Sequence, residues 1–262
     1  LKLLKEKYPT KQSVYRELIN LNAIMNLPKG TEHFMSDLHG EYDAFYHIIN
    51  NCSGVIREKV AMLYGDELTV YEQQELCTLI YYPREKLSIL MDENKVNDEW
   101  YRNVLNQLIQ IAKLLSSKYT RSKVRKAMPV DFAYIIDELI HAQKDEDDNR
   151  SVYHRQIMET ILSLHNGDEF LVALTDLIKR LAVDHLHILG DIYDRGAHAD
   201  KILDLLMEHH SVDIQWGNHD ILWMGAFCGN PVCMALVVRN NIKYKTMSIL
   251  ENGYGISLRF LL

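Results

Sequence analysis

Three short stretches concentrate side chains able to bind metal or phosphate: Ser36-Asp37-Leu38-His39-Gly40, Gly190-Asp191-Ile192-Tyr193-Asp194-Arg195-Gly196 and Gly217-Asn218-His219-Asp220. Asp37 and His39 stand two residues apart, where a loop can turn both toward one ion. A carboxylate with an imidazole suits Mn²⁺, Fe²⁺ or Zn²⁺. Asp191 can bridge two cations, because a carboxylate offers two oxygens with several lone pairs. Arg195 presents a planar fork of donors that matches phosphate oxygens. Asn218 supplies a neutral oxygen ligand, and His219 is of the residue type that can protonate a leaving alkoxide. The combination is that of a two-metal phosphoesterase.

Each stretch also has a plainer reading. Asp-x-His is a weak pattern alone. Arg195 could lie in a surface ion pair, and Asn218 is a good helix N-cap ahead of Ile221-Leu222. The other histidines carry less. His185 and His187 alternate on one strand and face a helix or the far side of the sheet, and His33 sits within a strand. His209-His210 ends a helix, where positive charge is favoured. His141, His154 and His165 read as surface or packing residues.

The elements that position these motifs follow from hydrophobic periodicity. Residues 1–26 read as a helix with Leu18, Leu21, Ile24 and Met25 on one side, stopped by Pro28-Lys29-Gly30. Glu32 to Ser36 reads as a strand and Tyr42 to Asn50 as a helix. From Arg57 to Ala182 the pattern is helical. Its stripes are Tyr101, Val104, Leu105, Leu108, Ile111, Ala112 and Leu115; then Phe132, Ile135, Ile136, Leu139 and Ile140; then Ile157, Ile161 and Leu164; then Leu171, Leu174, Leu177, Ile178 and Leu181. Asp145 to Asn149 reads as an acidic, solvated link. Strands are expected at His185–Leu189 and Val212–Trp216, and helices at 198–210, from Ile221 to Phe227, and over most of 232–250.

The expected fold is therefore α/β: two α/β pieces, residues 1–56 and 183–262, around a large all-helical insertion over 57–182. Short strands separated by helices favour parallel pairing. Ligands in such sheets collect at the carboxyl ends of the strands, and all three motifs fall there.

The 262 residues carry a formal net charge of −7, with 47% hydrophobic and 25% charged residues. Acidic balance argues against general nucleic-acid binding. No apolar run approaches the ~20 residues of a membrane span, and the charged, helix-like N-terminus does not read as a signal peptide. Cys52, Cys77, Cys228 and Cys233 form no Cys-x-x-Cys pair and read as free thiols of a cytoplasmic protein. The chain lacks an initiator Met, so it is not expected to begin at a native start.

These motifs resemble the calcineurin-like metallophosphoesterase superfamily. With the flanking segments Asn20–Phe34, His39–Phe45, Asp184–Gly196 and Gln215–Ala226, and the long helical stretch between the first two motifs, essentially the whole chain is similar to the class III fructose-1,6-bisphosphatases of bacteria. The resemblance implies a calcineurin-like sheet and a set of roles. Asp37 and His39 bind one metal, Asp191 bridges two, and Asn218 binds the second. Arg195 holds phosphate, His219 contacts it or the leaving oxygen, and Asp194 orients His219. It further implies attack by a metal-bound hydroxide on fructose 1,6-bisphosphate, giving fructose 6-phosphate in gluconeogenesis. The cofactors would be two divalent ions, Mn²⁺ first from the mixed ligand set. The partner would be a small sugar bisphosphate, with a homo-oligomer left open. Two departures stand out. Ala197 occupies the usual proline position, and no histidine follows His219 although the superfamily uses further histidine ligands there. The expectation is an N-terminal fragment whose sheet and metal site are incomplete. A serine/threonine protein phosphatase-like enzyme is the runner-up, disfavoured by the helical insertion and by GNHD where those enzymes read GNHE. A non-catalytic scaffold with an incomplete metal site is the third reading.

Overall fold

The computed structural model describes residues 1–142 and 148–258, with backbone alone at 148 and 149. Three parallel strands, β1 (Glu32–Met35), β2 (His185–Ile188) and β3 (Val212–Ile214), form a sheet in the order β1-β2-β3. Glu32 pairs with His185 and Met35 with Ile188; Leu186 pairs with Val212 and Ile188 with Ile214. Backbone bonds extend the pairing past the strand ends, from Leu189 N to Met35 O (2.7 Å) and from Gln215 N to Ile188 O (2.7 Å). All three motifs thus leave the sheet at one edge. The chain is an α/β protein in which helix predominates.

Leu186 and Ile188 are fully buried on one face of β2. They pack in a cluster with Phe45 of the helix Tyr42–Asn51 and with Ile202 and Leu206 of the helix Ala199–Glu208. His185 and His187 point to the opposite, more open face, beside the exposed Phe34.

Between β1 and β2 the chain is helical. Asn97 caps the helix Asp98–Ser116 through a bond from Trp100 N to Asn97 Oδ1 (2.8 Å). That helix buries Leu105, Leu108, Ile111 and Leu115 completely, in one cluster with Phe170, Leu171 and Leu174 of the helix Gly167–Ala182. Each such side chain contributes roughly 1.5–3 kcal/mol when buried, so this cluster anchors the body that separates the first two motifs. The segments that enter β1 and β2 meet. Asp184 N donates to Thr31 O (2.8 Å), and Gly30 lies so close to Asp184 that a Cβ at this position would overlap its side chain.

Several elements differ from expectation. Residues 1–26 form two helices, Lys2–Lys7 and Lys11–Ile24. Pro9 interrupts the first, and Thr10 starts the second by accepting from Ser13 N (3.1 Å). Their apolar stripe is not core: Leu18 is 51% and Leu21 48% exposed. Leu164, read into a helical stripe, is 71% exposed because its helix ends at Ser163. The helix expected from Ile221 begins at Asn218, with Gly217 as its N-cap. The helix expected over 232–250 ends at Tyr244, and a separate helical turn follows at Ile249–Gly253. Of the acidic link at 145–149, residues up to 147 lie outside the described residues, and a helix has begun at Asp148. No helix among the described residues is long and apolar enough to cross a membrane.

Candidate active site

The loops after β1 and β2 are laced together by their backbones. Asp37 N donates to Gly190 O (3.1 Å), His39 N to Asp191 O (2.8 Å), Gly40 N to Ile192 O (2.8 Å) and Gly196 N to His39 O (2.6 Å). This close approach requires small residues. A Cβ on Gly40 would stand 2.6 Å from the Gly196 carbonyl oxygen, and one on Gly217 would overlap the Asp191 carboxylate. Asp37, His39, Asp191, Asp194 and Arg195 all have positive φ, between 46° and 72°. Non-glycine residues adopt this region at a cost, and such strain collects at functional sites.

Asp37, His39 and Asp191 each place one ligand atom within 4.8 Å of the others. His39 is buried, and its Nδ1 lies 3.1 Å from the carbonyl oxygen of Tyr193. A carbonyl only accepts, so Nδ1 carries the proton and Nε2 keeps its lone pair. That Nε2 is buried without a hydrogen-bond partner, 3.5 Å from Asp37 Oδ1. A buried lone pair facing carboxylates leaves a cation-shaped demand, and the Nδ1–H bond to a backbone carbonyl is the usual way a metal-binding histidine is oriented.

The third motif sits against this group. His219 N donates to Asp191 Oδ1 (3.2 Å), and the His219 ring stands edge-on to that of His39, with centroids 5.5 Å apart. His219 Nδ1 lies 2.6 Å from Asp194 Oδ2. The Asp194 side chain is fully buried and also accepts from Trp223 Nε1 (3.1 Å) and Asn240 Nδ2 (2.8 Å). Arg195 is exposed and makes no ion pair among the described residues, unlike the surface pairing that its turn could have served. Asn218 is exposed at the first position of its helix and next to Gly217, which packs on Asp191.

Asp220 has a structural part that its place in the GNHD motif alone does not reveal. It is 4% exposed, and its carboxylate accepts four backbone N–H groups. Oδ2 takes Asp191 N (2.8 Å) and Gly217 N (2.9 Å); Oδ1 takes Ile192 N (2.9 Å) and Tyr193 N (3.2 Å). It locks the second motif to the third. The available sequence signal was a carboxylate at the third helical position after a glycine cap, a common place for a side chain to reach back to the cap N–H. Trp223 and Asn240 had no comparable signal. Tyr193 stacks on Trp223 (4.4 Å) and meets Tyr254 through its hydroxyl (2.8 Å). Burial, then that hydrogen bond, drive the Tyr193 phenol above its ordinary pKa.

Residues 1–262 match the family model described as Firmicute fructose-1,6-bisphosphatase. A class 3 fructose-1,6-bisphosphatase of Clostridium beijerinckii is 55% identical over 258 residues, which is 98% of this chain and 39% of the relative. One from Listeria monocytogenes serotype 4b is 54% identical over 99% of this chain and 40% of the relative. One from Clostridium acetobutylicum is 53% identical over 98% and 39%. The chain thus spans about two fifths of the length of these relatives. No solved structure matches it. With its whole length matched and every residue of the three motifs within that match, the chain belongs to the Firmicute fructose-1,6-bisphosphatase family.

Proposed function

We propose that this chain carries metal-dependent phosphomonoester chemistry on fructose 1,6-bisphosphate, releasing phosphate and fructose 6-phosphate. The observation that carries this reading is the buried, unpartnered Nε2 of His39 beside Asp37 and Asp191 at the carboxyl edge of the sheet. Asp37, His39 and Asp191 would hold one divalent ion, and Asp191 with Asn218 would face a second. Mixed carboxylate, imidazole and amide donors favour Mn²⁺. When bound, the ions supply positive charge against the phosphoryl oxygens and acidify the attacking water.

The chain's own residues do the remainder. Arg195, exposed and without an ion pair among the described residues, is placed to fork onto the phosphate oxygens. As phosphorus gains the incoming oxygen and the P–O bond to C1 breaks, the leaving alkoxide needs a proton. His219 supplies it from Nε2, because Nδ1 is committed to Asp194. The buried Asp194 carboxylate stabilises the imidazolium and fixes its orientation.

We assign residues 1–56 and 183–262 to a calcineurin-like catalytic unit and 57–182 to an insertion. The four free cysteines support a reducing compartment, the cytoplasm. The deciding experiment is Mn²⁺-dependent phosphate release from fructose 1,6-bisphosphate, by this chain and by a version extended past Leu262. Activity with the sugar and none with a phosphoserine peptide supports the proposal. Turnover of the peptide alone, or of neither substrate by either protein, overturns it.

A further inference from the structure

A second group of ligating side chains lies on the open face of the sheet. His185 and His187 alternate along β2, Asp213 stands directly across from His187 on β3, and Glu32 stands across from His185 on β1. His185, His187 and Asp213 each offer one ligand atom within 4.8 Å of the others. Their contacts are His185 Nε2 to Asp213 Oδ2 at 3.2 Å and His187 Nδ1 to Asp213 Oδ1 at 2.8 Å. Donors bound to a tetrahedral zinc at ~2.0–2.1 Å stand roughly 3.3 Å apart. The existing separations are already near that value, and all three residues sit on or beside rigid strand pairings.

The outer ring atoms decide the matter. A carboxylate only accepts, so without a metal His185 donates from Nε2 and His187 from Nδ1. The second nitrogen of His187 is then a lone pair. It is buried without a hydrogen-bond partner and sits 3.7 Å from Glu32 Oε2, acceptor against acceptor. A cation between the two rings and Asp213 removes the conflict by moving each proton to the other ring nitrogen. His187 Nε2–H would then point to Glu32, and His185 Nδ1–H would donate to Ser211 Oγ, already 2.6 Å away. Both outer acceptors that a zinc-bound histidine pair calls for are in place. Phe34, stacked on His187 at 4.3 Å, holds that ring in its orientation.

We propose that His185, His187 and Asp213 form a Zn²⁺ site, separate from the Asp37–His39–Asp191 group, with Glu32 and Ser211 orienting the two imidazoles. The site is independent of the phosphatase reading, since it uses no residue of that group.

The test is equilibrium dialysis of ⁶⁵Zn²⁺ against the 262-residue chain carrying Asp37→Ala and Asp191→Ala. One Zn²⁺ per chain is expected. Adding His187→Ala or Asp213→Ala should weaken retention at least ~100-fold, and Ser211→Ala about tenfold. A second readout needs no variant: in ¹⁵N spectra of the unsubstituted chain, Zn²⁺ should move the His187 proton from Nδ1 to Nε2 and the His185 proton from Nε2 to Nδ1. No uptake, uptake indifferent to His187→Ala, or unmoved tautomers would overturn the proposal and leave Asp213 as a hydrogen-bonded tie between β2 and β3.

Discussion

One oxygen of Asp194 receives both the His219 imidazole, at 2.6 Å, and the Asn240 amide, at 2.8 Å, while its other oxygen receives Trp223. The carboxylate is fully enclosed, so its direction is set by these donors. Asp194→Asn keeps the shape but replaces one acceptor oxygen with an N–H group. In a form that shows the proposed phosphatase activity, kcat should fall by about 10²–10³, with KM for fructose 1,6-bisphosphate little changed. Steady-state kinetics would check this; a drop in kcat of less than threefold would remove His219 from the proton transfer.

Asp220→Ala strands the N–H groups of Asp191, Ile192, Tyr193 and Gly217 beside one another. Unsatisfied buried donors cost about 1–3 kcal/mol each before water enters. We expect a net loss of about 3–5 kcal/mol, read as a lower urea midpoint at unchanged slope. Asp220→Asn should recover part of it, since the amide oxygen still accepts.

His39→Ala removes the only imidazole of the Asp37–His39–Asp191 group. Mn²⁺ titration followed by electron paramagnetic resonance should show binding weakened at least ~10-fold. Helical content in far-ultraviolet circular dichroism should stay the same. Unchanged Mn²⁺ affinity would place the ion elsewhere.

The four thiols should separate by reactivity. Burial pushes the Cys52 thiol up to about 12 against an opposing pull from Lys179, and burial also raises Cys77. Cys228 is exposed and Cys233 partly so. Titration with a chromogenic disulfide at pH 8 should give one fast thiol, one slower, and two that respond only after unfolding.

Acid should destabilise the fold through His209. Burial, then the neighbouring His210, lower it to about 4, against ~6.5 in an unfolded chain. Between these values the unfolded state binds the extra proton, so stability is lost as pH falls from about 6.5 toward 4. The group is partly solvated, so the loss is about 1 kcal/mol after screening. The slope of Tm against pH from 7 to 5 should flatten in His209→Gln.

The three motifs were legible because each apolar run ends in residues with no other use at a strand terminus. Asp37, His39, Asp191 and His219 are accordingly found together. The Asp194 network was only partly legible: Asn240 lies on the helix Pro231–Tyr244, whose side chains gave no periodic cue distinguishing a hydrogen-bond donor from a surface amide. Hydrophobic spacing rightly put Leu18 and Leu21 on a helix but did not reveal that they stay exposed. A 3.6-residue stripe reports an amphipathic helix and says nothing about whether another element covers it. The Gly217 cap was missed for a related reason: asparagine's capping preference is an average, and here Asp220 supplies the cap contact from inside the helix.

The meeting of the segments that enter β1 and β2, at Thr31 and Asp184, bears on how the protein comes to exist. Glu32 and His185 are hydrogen-bonded neighbours in space yet about 150 residues apart in the chain. Closing an unstructured loop of that length costs on the order of 4 kcal/mol before any contact repays it. If the body around Phe170 and Leu105 condenses first, it delivers both strands side by side and most of that loop disappears. The ligand loops then lock last, onto a scaffold already made. A cavity far into the helical core, such as Phe170→Ala, should therefore slow the appearance of metal-binding competence during refolding, although Phe170 belongs to a different core from the sheet that carries the ligands.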